Sequence, residues 1–407
     1  MVIYQAVKAR VLANVQNRLS HMNRASDEEA MHIIEKEIIR DAESEQLYVD
    51  NRVRLRREMF NRIRRLDVLS DLLDDDSITE IMVNGTDEIY IEQDGMIRSS
   101  GVAFESKERL YDIVGQIASG VNRSVNMRSP ILDARLDDGS RVNIVLDPVA
   151  INGPVVTIRR FPQQPVDDKR LLELGSITQE VIDCVKKLVR AKYNILISGG
   201  TGSGKTTFLN ICSGYIDSSE RIITIEDSAE LKIQNIRNLV SLETRNASTE
   251  GCDAISIRDL IKSALRMRPD RIIVGEVRGE EAIDMLQAFS VGQDGSISTI
   301  HANSAGDALY RLETMIMLST QIPLNALRRQ IVSGVDIIIQ LGRLRDKSRH
   351  LLEIREVIDM KDGNISTNLL YTFNETGQLN GKIIGELVKV NDLYHKDKLY
   401  KSGIAYE

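Results

Sequence analysis

An α/β protein of more than one domain is predicted by three observations. A glycine-rich turn lies between an apolar strand and a helix in "NILISGGTGSGKTTFLN", residues 194–210. Short β-branched runs alternate with amphipathic stretches on both sides of that turn. The first 65 residues, dense in charge and free of Pro and Gly, read as helix. At 407 residues the chain has room for about two to three domains, each with its own core.

Taken in order, residues 1–65 form a helical N-terminal segment. Within "RVRLRREMFNRIRRL", 52–66, Leu55, Met59, Ile63 and Leu66 fall near one helical face, and seven arginines occupy the rest. Packing explains the apolar face; the arginine face is a solvated surface or a seat for an acidic partner or lipid headgroups. An α/β domain follows over 66–161. "ITEIMVNGTDEIYIEQDG", 78–95, sets two β-rich runs around Asn84-Gly85-Thr86-Asp87, a hairpin signal. A helix is expected near "ERLYDIVGQIAS", and further strands in "RVNIVLD" and "GPVVTIRRF". The proline-bearing "FPQQPVDDKR" begins a linker over 162–176, because proline continues neither a helix nor a central strand. Residues 177–407 make a parallel-sheet domain around the glycine-rich turn, extended beyond residue 346 by strands with a turn at Asp362-Gly363 and by a last stretch of about twenty residues that reads as helix or tail.

Composition narrows the function classes. Aromatics are 4%, Trp is absent and the net charge is −7, which argues against a stacking platform for single strands and against bulk phosphate-backbone binding. No apolar run approaches the ~18 residues of a membrane span. The opening "MVIYQAVKARVLANV" meets Lys8 and Arg10 too early for a signal peptide, so a cytoplasmic location is expected. Cys184, Cys212 and Cys252 show no paired spacing, and neither structural zinc nor a disulfide framework is expected.

The turn itself has the spacing of a P-loop: Gly199, four residues, then Gly204-Lys205-Thr206. Glycines at 199, 200, 202 and 204 let consecutive N–H groups point inward at phosphate oxygens. The helix beginning near Lys205 adds its N-terminal donors, Lys205 a mobile charge, and Thr206 a hydroxyl for Mg²⁺. The expected nucleotide contacts are Gly199, Gly200, Thr201, Gly202, Ser203, Gly204, Lys205, Thr206 and Thr207. No Asn-Lys-x-Asp guanine reader is present, so ATP is the default nucleotide.

Two acidic stretches decide the chemistry. "RIITIEDSAEL", 221–231, places Glu226, Asp227 and Glu230 after a strand, and "RPDRIIVGEVRGEEA", 268–282, ends another on Gly275-Glu276. A closing Asp would ordinarily hold the metal; here Gly275 stands in its place, so Mg²⁺ ligation is expected to be shared among Thr206, Glu230 and Glu276, partly through water. Glu276, on a strand expected to neighbour the P-loop strand, suits a proton acceptor for an attacking water, with Glu230 holding that water or the metal's hydration shell. Helix capping is the alternative role for Glu226 and Asp227.

With "GGTGSGKTT", "TIEDSAEL", "PDRIIVGEVRGEEA" and "STIHANSAGDALYRLETM" in this order, residues 66–345 resemble the secretion ATPases of the type II and type IV families, the GspE/PilT/VirB-type superfamily. The closest resemblance is to the CpaF-type motors of the tight-adherence (Flp) pilus. It implies a RecA-like P-loop motor domain and a smaller N-terminal domain, assembled as a homo-hexamer at the cytoplasmic membrane face. It also implies ATP hydrolysis with Mg²⁺ and polytopic inner-membrane platform proteins as partners, with no specific nucleic acid. Pilin assembly or protein export is the implied work, and DNA transfer by a type IV system is the alternative. The catalytic set carried over is Glu276, Glu230, Arg278 and His301, with Arg141, Arg159 and Arg160 reaching the γ-phosphate; surface ion pairs are the alternative role of these last three and of Arg135. Gln293 stands where relatives often carry a histidine, which leaves His301 to act alone.

Overall fold

The computed structural model describes residues 2–22, 25–41, 44–93, 95–136, 138–160, 166–245 and 253–404. The chain divides into two compact units, Met1–Gln163 and Gln164–Glu407.

The first unit opens with helices α1 (Val2–Ser20), α2 (Asp27–Arg40), α3 (Val49–Arg64) and α4 (Val68–Asp74). Ser26 starts α2 with a capping box, its hydroxyl on the Glu29 N–H and the Glu29 carboxylate on its own. Val7, Val11, Val15, Ile34, Ile38, Leu55 and Met59 form a core between α1, α2 and α3. Leu66 packs instead on the core of the sheet that follows. The arginines of α3 and its end are largely paired within the unit: Arg54 with Glu58, Arg56 with Glu35, Arg57 with Asp71, Arg64 with Asp27 and Arg65 with Asp74. The arginine-rich face is therefore a surface face laced with ion pairs inside the unit.

Strands β1 (Ile78–Asn84), β2 (Ile89–Gln93) and β3 (Met96–Ser99), helix α5 (Lys107–Gly120), and strands β4 (Ile131–Arg135), β5 (Arg141–Val145) and β6 (Val155–Arg159) complete this unit. The strands form one sheet in the order β3-β2-β1-β6-β5-β4, antiparallel throughout. Alternation does the sorting: Val142, Ile144, Val156 and Ile158 point to the core with Leu110, Ile113, Val114 and Ile117 of α5, while Arg141 and Asn143 point away. The expected β1–β2 hairpin is present, with Gly85 at φ 86°.

The second unit begins earlier than the expected linker allows. Asp167 accepts from the Arg170 N–H and starts helix α6 (Asp168–Glu173), whose Leu171 and Leu172 pack on the second core. Much of 162–176 is thus an anchored helix; residues 161–165, which carry both prolines, lie outside the described residues. Then come α7 (Gln179–Arg190), β7 (Ile195–Gly199), α8 (Lys205–Ser213), β8 (Arg221–Glu226), β9 (Asn238–Glu243), α9 (Ile257–Ala264), β10 (Arg271–Val277), α10 (Glu281–Ser290), β11 (Ile297–Ile300), α11 (Ala305–Ser319), α12 (Leu324–Gly334), β12 (Ile337–Arg343), β13 (Arg349–Lys361), β14 (Asn364–Leu379), β15 (Lys382–Lys389) and α13 (Asp397–Lys401).

Nine strands form one sheet, β15-β14-β13-β12-β7-β11-β10-β8-β9. From β12 to β9 all neighbours are parallel, and two apolar cores cover the faces, as a parallel sheet requires. β13, β14 and β15 extend the sheet by antiparallel pairing, and the β13–β14 hairpin turns at Asp362 and Gly363, both at positive φ. The last stretch is docked: Leu393 and Leu399 are buried, Tyr193 Oη donates to His395 O at 2.5 Å, and Lys398 Nζ lies 2.7 Å from Asp336.

One expectation is corrected by the strand order. β10, which carries Glu276, does not neighbour the P-loop strand β7; β11 lies between them. The insertion delivers His301, the residue after β11, into the gap between the P-loop and Glu276.

Candidate active site

β7 is buried along its whole length and ends on Gly199, where the chain turns through Gly202 (φ 70°) and Gly204 (φ 94°) into α8. A Cβ at Gly199 would stand 2.5 Å from Ser203 Oγ and 2.6 Å from Leu341 O, so no other residue fits there. Gly200 has nothing within 4 Å of such a carbon and opens to the cradle side. Thr201 is exposed, Thr206 and Thr207 half-buried. Lys205, the first residue of α8, is 8% exposed. Its Nζ donates to Gly199 O (2.9 Å), Gly200 O (3.0 Å) and His301 Nδ1 (3.2 Å).

That last contact assigns a tautomer. An ammonium has only donors, so His301 Nδ1 accepts and the ring proton sits on Nε2. Nε2 lies 2.8 Å from Glu276 Oε1. Burial first, and then the cations Lys205, Arg278 and Arg311, hold the His301 pKa below its ordinary value, against the opposing pull of Glu276. His301 is therefore a neutral bridge from the phosphate loop to the carboxylate. The Oε1 contact is at ion-pair distance without hydrogen-bond alignment, whereas Oε2 accepts from Arg278 Nε at 2.6 Å and lies 2.5 Å from Arg278 Nη2 in an ion pair. Arg278 also reaches Asp227, at 3.5 Å.

Glu226 does not cap a helix. It is 4% exposed at the end of β8, and its Oε1 accepts from the N–H groups of Glu230 (2.8 Å) and Leu231 (3.0 Å), shaping the loop that presents Asp227 and Glu230. Burial is the main cause that pushes its carboxyl up to about 7; the two N–H groups oppose it, and Glu230 and Glu243 add to it. This also accounts for Gly275: a Cβ there would meet Glu226 Cγ at 2.9 Å. The close packing of β8 against β10 is what leaves no room for the usual aspartate. Such pairing of a buried acid with a glycine on a neighbouring strand has no signal in either segment alone.

Lys205, His301, Glu276, Arg278, Asp227 and Glu230 thus converge at the carboxyl ends of four parallel strands, Glu230 close enough to raise the Arg278 pKa. Gln293 takes no part: its side-chain nitrogen, turned to satisfy its neighbours, donates to Ala288 O and Val291 O at 3.1 Å and closes the end of α10. Arg141, Arg159 and Arg160 belong to the first unit. Arg160 holds the entrance of β1, donating to Asp75 O and Ile78 O and pairing with Asp76. Arg135, Arg141 and Arg159 are directly opposite one another across β4, β5 and β6, and Glu80 and Glu92 continue the row.

The residues fit a nucleotide triphosphate. Left-handed glycines, an open Gly200 and a buried lysine at a helix N-terminus form an anion nest that carries the charge of Lys205. Among the described residues no cluster of three His, Cys, Asp or Glu is arranged to hold a metal.

The chain matches the family model described as "Type II/IV secretion system protein" over residues 64–388. It is similar to the type IV secretion system protein PtlH of Bordetella pertussis, 33% identical over 331 residues, covering 73% of this chain and 94% of that one. It is also similar to the conjugal transfer protein TrbB of Rhizobium radiobacter, 32% identical over 308 residues, covering 74% and 90%. In fold it resembles the crystal structure of the pilus retraction motor PilT with bound ADP, with TM-score 0.52 and 20% identity, over 80% of this chain and 83% of that one. The parallel P-loop sheet of the second unit has the RecA-like architecture expected, preceded by a smaller α/β sheet and a helical segment. With four motifs in order and a family match across most of its length, this chain is a member of the type II/IV secretion system protein family.

Proposed function

We propose that the protein is a Mg²⁺-dependent ATPase that works as a homo-hexamer at the cytoplasmic membrane face, with polytopic inner-membrane proteins as partners, and powers pilin assembly or protein export. This reading takes the motors of the tight-adherence pilus, which the sequence motifs resemble, as its functional analogue. The similarity to a conjugal transfer protein supports DNA transfer as a second reading; the net charge of −7 favours the first.

The observation that carries the proposal is the continuous contact from Lys205 through His301 to Glu276. ATP with Mg²⁺ supplies the transferable phosphoryl group and the counter-charge for it. Lys205 exchanges its carbonyl partners for phosphate oxygens. Thr206, Glu230 and Glu276 would hold Mg²⁺, partly through water, and the ion would supply counter-charge to the phosphates. The Glu276 carboxylate takes the proton of the attacking water. Neutral His301 keeps the carboxylate aimed, and Arg278, with its side chain 57% exposed, is able to turn from Glu276 toward developing charge. By the family resemblance alone, Arg141 and Arg159 are proposed to act on the γ-phosphate, a guanidinium being suited to bridge phosphate oxygens. In this reading residues 66–161 and 177–407 act as the two working parts of the motor and 1–65 contact the membrane complex.

The test is a pair of substitutions in the full chain. Lys205→Ala should lose nucleotide binding. Glu276→Gln should bind ATP yet turn it over ~10²- to 10⁴-fold more slowly, and should trap hexamers visible by light scattering with Mg-ATP. Unchanged phosphate release in Glu276→Gln removes the base assignment, and a persistent monomer with nucleotide bound removes the ring motor.

A further inference from the structure

Beside the P-loop stands a second source of positive charge that none of the four motifs contains. β12 runs parallel to β7 with Leu341 opposite Gly199, so the turn between β12 and β13 rises next to the phosphate cradle. Arg343 ends β12 and Arg349 begins β13, directly across from each other. Both are exposed. A Cβ placed on Gly202 would lie 4.0 Å from Arg343 Nη1, and one on Gly204 3.8 Å from Arg349 Cδ. The two arginines therefore flank the two left-handed glycines of the loop.

This arrangement concentrates like charge. Arg343 and Arg349 oppose each other across an antiparallel rung, and the loop beside them already carries Lys205 and the positive end of α8. The turn is also built to stay in place. Asp346 accepts from the Ser348 N–H (3.0 Å) and hydroxyl (2.5 Å), and its other oxygen from the Ile383 N–H at 2.8 Å. Arg345 forms a two-pronged pair with Glu375, while Lys347 takes the left-handed turn position at φ 67°. Residues of β14 and β15 thus brace the turn, so the strands added beyond the parallel sheet hold Arg343 and Arg349 beside the cradle, Arg343 Nε also donating to Lys347 O at 3.4 Å.

We propose that Arg343 and Arg349 clamp the phosphates of the nucleotide bound by the P-loop. The inference rests on the nucleotide reading above and extends its binding site to residues outside the motifs. A guanidinium presents a planar fork of donors that matches phosphate oxygens, and two of them on a rigid hairpin are positioned with little ordering cost.

The test measures binding of ATP and of inorganic tripolyphosphate to the full chain, comparing Arg343→Ala, Arg349→Ala, the double substitution, the double substitution to Lys, and Lys205→Ala. The double Ala variant should bind both ligands about 10-fold or more weakly, with a shallower salt dependence, and the Lys pair should recover part of the loss. Weaker ATP binding with unchanged tripolyphosphate binding would mean that the arginines meet the base, and overturns the phosphate clamp. Unchanged binding of both ligands, with Lys205→Ala abolishing it, overturns the inference and leaves the nucleotide site standing. If the unsubstituted chain binds neither ligand, the nucleotide reading fails and the clamp with it.

Discussion

The two sheets of this protein handle charge in opposite ways. In the antiparallel sheet of the first unit, Arg135, Arg141 and Arg159 lie opposite one another on the face away from the core, with Glu80 and Glu92 continuing the line. Burial pushes the Glu80 carboxyl upward, with Arg159 opposing. In the parallel sheet of the second unit, polar and charged groups gather at strand ends: Glu226 closes β8, Glu276 lies near the end of β10, neutral His301 follows β11 and Arg343 closes β12. The difference follows from strand direction. Parallel strands all finish on one side, so residues far apart in sequence converge on one point. Antiparallel strands finish on alternate sides, and a set of like residues becomes a stripe.

The second sheet also buries a charge, and this yields the largest stability effect. Arg271 is 0% exposed, donates to both oxygens of Glu220 (2.9 and 2.8 Å), and to Val189 O and Gly295 O. Gly295 has no Cβ to obstruct it; one added there would stand 2.5 Å from Arg271 Nη1. Arg271→Leu leaves Glu220 with Lys192 alone and strips both carbonyls of this donor, so urea unfolding should show a loss of about 3–5 kcal/mol. A loss under about 1 kcal/mol would mean that the second sheet carries charge no differently from the first.

For the arginine stripe the contrast predicts the reverse. Arg141→Ala and Arg159→Ala should lower ATP turnover by up to ~10³-fold with little change in binding, and should leave the melting temperature unchanged or raised because a like-charge rung is removed. A fall in both turnover and melting temperature would make the stripe a structural feature.

Two smaller effects probe the packing of β8 on β10. The Glu226 carboxyl has a folded value of about 7 against 4.5 for the ordinary group. Between these values the folded chain holds a proton that the unfolded chain has released. Its stabilising contribution is therefore present below about 4.5 and lost as pH rises through about 7, by at most about 3 kcal/mol. Glu226→Gln keeps an oxygen for the Glu230 and Leu231 N–H groups but does not titrate, so unfolding measured from about pH 4.5 to about 7.5 should lose this slope. Gly275→Ala forces a carbon to within 2.9 Å of Glu226 Cγ and should cost about 1–3 kcal/mol, readable as a lower denaturant midpoint.

Much of the fold is legible in local signals. The P-loop, the Asn84–Asp87 hairpin, the Asp362-Gly363 turn, the alternation of Arg141 and Asn143 against Val142 and Ile144, and the apolar face of Leu55 and Met59 each depend on residues a few positions apart. The short β3 and β4 carry no such signal: all four residues of β3 are exposed, and in β4 an exposed Ile131 stands beside the buried Leu132, so residue type does not follow the alternation in burial. Helix α6 is masked by the prolines before it, although Asp167 and two leucines suffice to start and anchor it.

The phosphate cradle, the order of the motifs and the family membership they imply are written in the sequence alone, because backbone conformation at glycine and the spacing of apolar residues are properties of short segments. Tertiary structure was needed to establish that β11 separates the P-loop strand from β10, that His301 thereby joins Lys205 to Glu276, that Gly275 yields its space to Glu226, and that Arg343 and Arg349 face the loop. Each of these is a contact between residues dozens to more than a hundred positions apart. No local propensity encodes such a contact; it exists only once the sheet has chosen its strand order.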